Sequence, residues 1–165
     1  MQGVVRATNP ELVDVLLNSD VMVYEPLWSL IPSNKAILPV LWSLYPSNPY
    51  LLESQFELTA RLKKRGYVKK PIVGRCGHNI EMVSDERRTI QKTTGQFSKQ
   101  DDIYQALFKL PKIDNLYTQI CSFTVNGHYS GTCVRCDTSP IIQSVSDILP
   151  LRVLSDEAFA GSISN

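Results

Sequence analysis

The residues best suited to binding an anion lie in one short stretch, where positive charge and glycine occur together. Gly74 and Gly77 bracket Arg75 and Cys76, and Lys70 leads into the same loop. Because glycine has no Cβ, the backbone N–H groups of such a loop can approach oxygen atoms closely. The lysine and the arginine would add positive charge beside those N–H groups. This combination suits a polyanion, and a nucleoside triphosphate is the usual one.

An ordinary β-turn is the alternative interpretation of the same loop, and the glycine spacing alone favours it. The loop is not a Walker A motif, because no Gly-Lys-Ser/Thr follows it. It also lacks the third glycine of the dinucleotide-binding fingerprint. The hypothesis of a phosphate site therefore depends on the rest of the chain.

Lys35 is a second cation of interest, because Ser33 is predicted to cap a helix over residues 33–45. Pro39 falls inside this pattern and predicts a kink or a late start. The helix dipole disfavours a cation in the first turn, so Lys35 either extends into solvent or shares an anion with the helix end. On this residue alone, solvent is the simpler interpretation.

The cysteines predict neither a disulfide framework nor a zinc site in a chain of this length. Cys133 and Cys136 form a lone C-x-x-C, and a zinc site would need a second pair of ligands at similar spacing. A redox dithiol would need a helix N-terminus, whereas strand positions three apart face opposite sides. We therefore expect reduced thiols and, since His78 and His128 stand apart, no metal cluster. The four cysteines are Cys76, Cys121, Cys133 and Cys136.

Length and composition are those of a soluble globular protein. The 165 residues are 43% hydrophobic and 20% charged, with a net charge of +1. Nothing in this balance predicts binding to nucleic acid or to a membrane surface. No apolar run reaches the roughly 18 residues needed to span a bilayer, and the first residues lack the apolar core of a signal peptide. We expect a cytoplasmic protein.

Strands and a helix are predicted around the glycine loop. Residues 57–65 are typical of a helix, with Gly66 as its C-terminal stop. Aromatic and β-branched residues predict a strand over 67–73 and another over 79–83. Together these two strands would form a hairpin whose tip carries the glycines.

A second hairpin has the strongest local signal in the chain. Residues 116–125 and 128–135 read as strands, and Asn126-Gly127 joins them. Residues 103–108 predict a further strand that is buried on both faces. The class is α+β with a mainly antiparallel sheet.

Weaker signals predict the remaining elements. A helix is expected to start at Asn9, and residues 21–24 read as a short strand. The polar residues 84–100 predict a short helix and a mobile loop, which beside a nucleotide site would act as a lid. Residues 141–142 and 149–154 complete the strands.

Taken in order, these segments resemble the C-terminal synthetase domain of the bifunctional glutathionylspermidine synthetase/amidases, which are ATP-grasp carbon–nitrogen ligases. The sequence Arg75-Cys76-Gly77 resembles the bifunctional enzymes, whereas shorter ATP-grasp relatives tend to carry Arg-Glu-Gly. The resemblance covers about positions 10–155 and implies an ATP-grasp-like partial domain with flanking helices over 1–155, followed by a frayed tail at 156–165. The matching segments are 14–17, 21–28, 31–39, 70–79, 103–107, 123–127, 131–135 and 146–151.

The resemblance implies specific roles at the phosphates and at the reacting atoms. By similarity, Lys35 and Lys70 reach the nucleotide phosphates, and the loop with Gly74, Cys76 and Gly77 covers them. Arg135 matches an arginine that stabilises the acyl phosphate and the tetrahedral intermediate by fixed positive charge.

The resemblance also implies where the rest of the nucleotide lies. The linker from Gln105 to Phe108 matches the segment whose backbone groups read the adenine edge. Gln119 matches a nucleotide-contacting position, and three residues after the second hairpin line the far side of the nucleotide. The matched residues are Gln105, Ala106, Leu107, Phe108, Gln119, Pro140, Ile141 and Ile142.

The implied reaction has two steps. ATP phosphorylates the glycine carboxylate of glutathione, and a spermidine amine then attacks the acyl phosphate to form an amide. Mg²⁺ accompanies the phosphates in such reactions. In the family, the metal ligands and most of the glutathione site lie upstream of the matching segments, so the upstream part of the ligase domain is the implied partner. We therefore expect no turnover by this chain alone.

One departure and two alternatives remain. Gln143-Ser144 stands where the family carries a lysine-rich segment, so a phosphate contact from there is not expected. The first alternative is another ATP-grasp ligase that joins a different carboxylate to a different amine. The second is a non-catalytic fragment that binds nucleotide.

Overall fold

The computed structural model describes residues 14, 16, 17, 20, 22–24, 27–157 and 159. The chain forms two units, residues 1–33 and residues 34–165. In the first unit, a 3-10 helix spans Leu27–Ser29 and helix α1 spans Leu30–Ser33. Residues 14, 16 and 17 are helical, but the other residues of the predicted N-terminal helix lie outside the described part. Met22, Val23 and Tyr24 are not in a strand, so the prediction of a strand there was wrong.

The second unit begins with helix α2, Ile37–Leu44. The predicted cap at Ser33 was wrong, because Ala36 is the N-cap residue and no side chain caps the helix. The late start agrees with Pro39, which lies in the first turn, where backbone N–H groups have no partner inside the helix. Lys35 consequently lies in the turn before the helix and not in its first turn.

Helix α3, Ala60–Arg65, starts three residues later than predicted and stops where predicted. Its start is set by Thr59, whose Oγ1 accepts a hydrogen bond from the Leu62 N–H at 3.3 Å. Gly66 ends it with a φ of +84°. A Cβ on Gly66 would lie 3.0 Å from the Val83 carbonyl oxygen, so this position needs glycine for both reasons.

A five-stranded antiparallel sheet follows, with the order β1-β5-β2-β3-β4. The predicted hairpin around the glycine loop is confirmed, because β2 pairs with β3. The predicted helix in residues 84–100 was wrong over the part that forms β4. The strands are β1 Ser54–Gln55, β2 Tyr67–Pro71, β3 Glu81–Val83, β4 Thr89–Lys92 and β5 Asp102–Ala106.

One row of side chains crosses this sheet and builds the face that matters for function. Ser54 lies opposite Gln105, which lies opposite Val68, which in turn lies opposite Met82. Opposed residues point to the same face of a sheet, and so does Lys70, two positions beyond Val68. Ile141 packs on this face in a buried cluster with Val68 and Met82.

A four-stranded antiparallel sheet, with the order β6-β7-β8-β9, contains the second predicted hairpin. That hairpin is confirmed, and Asn126 and Gly127 have φ values of +49° and +79°, as a type I′ turn requires. Ile141 and Ile142 are not in a strand, and the last strand starts earlier than predicted. The strands are β6 Lys112–Ile113, β7 Leu116–Val125, β8 His128–Asp137 and β9 Asp147–Pro150.

The α+β class with mainly antiparallel sheets and a few helices is confirmed. Beyond the last strand, Asp156, Glu157 and Phe159 are helical, and the rest of the predicted tail lies outside the described residues. None of the described helices is long and apolar enough to cross a membrane.

Candidate functional site

A cavity of about 340 Å³ opens on the face of the five-stranded sheet. Strand β2 contributes Val68 and Lys70, strand β5 contributes Gln105, and the chain after β8 lies across from them. Most residues that the resemblance assigned to a nucleotide line this cavity. They are Lys35, Lys70, Gly77, Gln105, Ala106, Phe108, Gln119, Pro140, Ile141 and Ile142.

Three of the residues assigned to the nucleotide do not line the cavity. Gly74 contributes its carbonyl oxygen to a hydrogen bond with Lys35. Cys76 is exposed in the loop with a φ of +57°. Leu107 packs against the buried cluster of Val68, Met82 and Ile141, and its N–H donates to the Gly66 carbonyl.

Five lining residues were not predicted from the sequence. All are apolar, and only Val68 among them could have been predicted. It lies two positions before Lys70, and alternate residues of a strand share a face. The others come together only through the pairing of distant strands and loops. The five residues are Leu52, Val68, Ile80, Met82 and Leu110.

Lys70 is held inside the cavity by a neutral partner. Its Nζ donates to Gln105 Oε1 at 2.6 Å. Burial lowers the pKa of Lys70 to about 8, with a further contribution from the positive charge of Lys35. Lys70 is therefore a partly buried cation that has no carboxylate partner among the described residues.

Lys35 approaches the same region from the turn before α2. Its Nζ donates to the Gly74 carbonyl at 2.5 Å, and its backbone N–H donates to the Ile72 carbonyl at 2.8 Å. Burial lowers the pKa of Lys35 as well. Within the part of the chain that the structure describes, neither Lys35 nor Lys70 forms a salt bridge with a carboxylate. Two uncompensated amines at one end of a cavity favour an anionic ligand.

The glycine loop lies against the chain that follows β8. A Cβ on Gly77 would lie 2.7 Å from the Ile142 carbonyl oxygen, and the φ of Gly77 is +69°. Both observations require glycine, because any side chain would push the loop away from the cavity wall. The loop backbone therefore borders the cavity at close range.

Residues 93–100 hold this loop in place and do not cover the cavity as a lid. Thr93 Oγ1 donates to the Gly77 carbonyl at 2.5 Å and accepts from the Ile80 N–H at 3.0 Å. The side-chain amide of Gln100 accepts from the Val73 N–H at 2.7 Å and donates to the Val73 carbonyl at 2.8 Å. The predicted lid is in this structure a brace with specific hydrogen bonds.

Arg135 lies on β8 directly opposite Gln119 of β7, so the two side chains share a face of the four-stranded sheet. Gln119 lines the cavity, whereas Arg135 lies outside the lining. The Arg135 guanidinium donates through Nη2 to the Gln143 carbonyl, and its buried Nε has no partner in the described structure. Arg135 therefore has an unused N–H donor beside the cavity, and its bond to Gln143 holds the side chain in position.

Two thiols lie on the same face as Arg135. Cys121 is directly opposite Cys133, a pairing that the sequence did not predict. Burial raises the pKa of Cys121, and the neighbouring Cys133 raises it further, whereas Arg135 acts in the opposite direction. Cys136 is buried on the other face, as strand alternation predicts, and the described residues contain no group of three His, Cys, Asp or Glu that could hold a metal ion.

Comparisons with known proteins give matches over most of the chain. A family profile described as "Glutathionylspermidine synthase preATP-grasp" matches residues 6–154. The chain is 51% identical over 154 residues to the bifunctional glutathionylspermidine synthetase/amidase of Escherichia coli (strain K12), covering 91% of this chain and 25% of that protein.

More distant relatives have related names. The trypanothione synthetase of Crithidia fasciculata is 38% identical over 149 residues, covering 89% of this chain and 23% of that protein. A putative acid–amine ligase of Haemophilus influenzae is 29% identical over 151 residues, covering 87% of this chain and 38% of that protein. The chain thus spans about a quarter of the length of the Escherichia coli and Crithidia proteins.

Proposed function

Because the chain belongs to the glutathionylspermidine synthase preATP-grasp family, we propose that it is the C-terminal portion of an ATP-dependent carbon–nitrogen ligase domain. Its part in the reaction is to bind the nucleotide. The observation that carries the proposal is the pair of amines, Lys35 and Lys70, which share one end of a cavity without a carboxylate partner among the described residues.

The phosphates of ATP lie at the lysine end of the cavity in this proposal. A triphosphate supplies the negative charge that both amines lack, and its binding would return Lys70 toward the ordinary lysine pKa. The loop that contains Gly74, Cys76 and Gly77 would cover the phosphates with backbone N–H groups. The close packing of Gly77 on Ile142 supports this position for the loop.

The adenine lies in this proposal against the apolar part of the cavity wall that Val68, Met82 and Ile141 form. A cavity of about 340 Å³ falls in the range of small-molecule sites. In strand β5 the Ala106 N–H already donates to the Glu53 carbonyl at 2.7 Å, and the Leu107 N–H to the Gly66 carbonyl at 3.1 Å. We therefore propose that the next amide along the chain, the Phe108 N–H, donates a hydrogen bond to the adenine edge.

The chemistry we propose joins the glycine carboxylate of glutathione to an amine of spermidine. The carboxylate attacks the γ-phosphorus and releases ADP. The amine nitrogen then attacks the acyl carbon, loses a proton and releases phosphate. Arg135 would stabilise the negative charge on the oxygens during the second step. Its unpartnered Nε and its position opposite Gln119 support that role.

Magnesium is the expected companion of ATP, but the described residues do not fit a magnesium site, because they contain no cluster of acidic side chains. We propose that the upstream part of the same ligase domain provides the metal ligands and most of the glutathione site. On this proposal, the chain alone binds nucleotide and does not turn over.

Calorimetric titration of Mg-ATP into the chain tests the proposal. We expect binding by the unmodified chain and its loss in Lys70→Ala. Lys69→Ala is the matched control, because Lys69 is the adjacent residue on the opposite face and pairs with Asp102 at 2.9 Å. Equal binding by Lys70→Ala and the unmodified chain would refute the phosphate site. Binding only by a version extended upstream would mean that this chain is an incomplete half-site.

A second candidate is an ATP-grasp ligase with a different carboxylate and a different amine, which the match to the putative acid–amine ligase of Haemophilus influenzae favours. A substrate screen on an extended protein distinguishes the two candidates, since only the first predicts ADP release that depends on both glutathione and spermidine. A nucleotide-binding fragment without a catalytic partner would bind Mg-ATP but gain no ligase activity after extension.

A further inference from the structure

We infer that Ser54 is a positioning residue for Lys70, and that it acts by fixing which end of the Gln105 side-chain amide faces the lysine. This inference deepens the proposed function. It rests on that function only in its last step, where Lys70 meets a phosphate. The family resemblance implies a role for the backbone of Gln105 alone and none for Ser54.

Three side chains form a continuous chain of hydrogen bonds under the cavity. Lys70 Nζ donates to Gln105 Oε1 at 2.6 Å, and Gln105 Nε2 donates to Ser54 Oγ at 3.0 Å. Ser54 Oγ in turn donates to the Leu52 carbonyl at 3.0 Å. Ser54 is 1% exposed and Gln105 is 8% exposed, so the hydrogen bond between them is shielded from bulk water.

These hydrogen bonds run in one direction, which both ends require, since the Lys70 ammonium can only donate and the Ser54 oxygen accepts from Gln105. A serine hydroxyl has a single proton, and here that proton is donated to Leu52. The oxygen of Ser54 can therefore only accept a bond from Gln105, so the amide nitrogen must face the serine. The amide oxygen is then left to face Lys70. With the amide reversed, its NH₂ group would face the ammonium and its oxygen would lie buried beside a hydroxyl with no proton to give.

This orientation bears on the charge of Lys70. An acceptor beside an ammonium favours the charged form, and here it opposes burial and the positive charge of Lys35, which both lower the pKa. The neighbouring charges Lys69 and Asp102 lie on the other face of the sheet and pair with each other. Gln105 Oε1 is thus an acceptor that favours the charged form of the Lys70 amine, and Ser54 holds it there.

The test is an NMR titration of the Lys70 side chain in the ligand-free chain. Ser54→Ala should lower the pKa of Lys70 by roughly half a unit or more, because the amide loses its anchor. Ser146→Ala is the matched control, since Ser146 is another buried serine, and its hydroxyl bonds Asp137 instead. This control should leave the pKa of Lys70 unchanged.

A second background separates positioning from a general structural effect. In Gln105→Glu, both carboxylate oxygens are acceptors, so no orientation needs to be fixed. Adding Ser54→Ala in that background should not move the pKa of Lys70. An equal shift in both backgrounds, or no shift in either, would overturn the inference. If Ser54→Ala does not fold, Ser54→Cys, with a weaker donor and acceptor of similar size, should give a smaller shift in the same direction.

Mg-ATP calorimetry on the same variants keeps the two proposals distinct. A shifted Lys70 pKa together with several-fold weaker binding in Ser54→Ala would support both. A shifted pKa, with no nucleotide binding by either the chain or the version extended upstream, would retain the role of Ser54 and refute the nucleotide site.

Discussion

The two sheets of the second unit differ in how they are assembled and in how much of their surface they bury. The four-stranded sheet is dominated by β7 and β8, two long strands that are neighbours in sequence. Large apolar side chains such as Ile120, Val125 and Ile148 remain exposed on it. The five-stranded sheet instead inserts β5 between β1 and β2, so its central contacts join residues far apart in the chain.

The site lies where distant residues meet. Lys70 reaches Gln105, Gln105 reaches Ser54, and the glycine loop is braced from residues 93–100. A hairpin closed by a two-residue turn is specified by its local sequence. It brings together only residues that are close in the chain, whereas the hydrogen bonds around Lys70 join distant ones. The difference suggests that the five-stranded sheet provides the rigid geometry, whereas the long hairpin contributes single side chains to the edge of the cavity.

The largest test of this difference compares two isoleucines at strand positions. Ile103 of β5 is 0% exposed, and Ile120 of β7 is 66% exposed. Ile103→Ala should lower the free energy of unfolding by about 2–5 kcal/mol. Ile120→Ala should change it by no more than about 0.5 kcal/mol. Urea unfolding followed by circular dichroism measures both, and similar losses would mean that the long hairpin is as tightly packed as the first sheet.

A smaller test compares two glycines with positive φ. Gly77 has a φ of +69° and would place a Cβ 2.7 Å from the Ile142 carbonyl oxygen. Gly127 has a φ of +79° with nothing within 4 Å of a Cβ. Gly127→Ala should therefore cost only backbone strain of about 1–2 kcal/mol, whereas Gly77→Ala should cost more and also weaken Mg-ATP binding. Thermal unfolding and calorimetry provide the two measurements.

Equal Mg-ATP binding by the two glycine variants would contradict this prediction. If Gly77→Ala binds Mg-ATP as tightly as Gly127→Ala does, the loop does not contact the phosphates at close range. Its glycine would then be explained by packing on Ile142 alone.

The same contrast explains what could be predicted from the sequence. The Asn126-Gly127 turn and the Gly66 helix stop are local signals, and both were confirmed. The cap at Ser33 was wrong because three residues, 34–36, form a turn between it and the start of α2. Residues 84–100 were predicted as helix and lid because their polarity gives no strand period, although Thr93 and Gln100 hold specific bonds there.

Register is the part of the site that the sequence alone does not specify. An unbroken ladder from the Asn126-Gly127 turn would place Cys121 opposite Thr132. A bulge between Phe123 and Thr124 shifts the pairing by one residue, so that Cys121 meets Cys133 and Gln119 meets Arg135. The contact between Lys70 and Gln105 likewise depends on the pairing of β2 with β5. The resemblance to a known family placed residues near the cavity, but it did not reveal these bonds.

A further expected effect is a pH dependence that distinguishes a lysine of each sheet. The pKa of Lys70 on β2 is lowered from 10.5 to about 8 by burial and by Lys35, so the unfolded chain holds this proton more tightly than the folded one. The buried charge should lower the free energy of unfolding by its full amount below pH 8. Between pH 8 and 10.5 the free energy of unfolding should rise, by at most about 1.4 kcal/mol per pH unit. Over the same range Mg-ATP binding should weaken, because the amine loses its charge.

Lys70→Met is the variant that isolates this dependence, and Lys112→Met is its matched control. Lys112 of β6 is exposed and lies over the Tyr117 ring, with its Nζ 4.4 Å from the ring centroid. Unfolding free energies measured from pH 7 to 10 should show that the rise attributed to Lys70 is missing only in Lys70→Met. Taking the difference from the unmodified chain cancels the groups that titrate independently of Lys70 in this range, including Cys121. If the unmodified chain and Lys70→Met have parallel pH profiles, Lys70 is not the buried, uncompensated charge of the five-stranded sheet, and the contrast between the two sheets loses its electrostatic part.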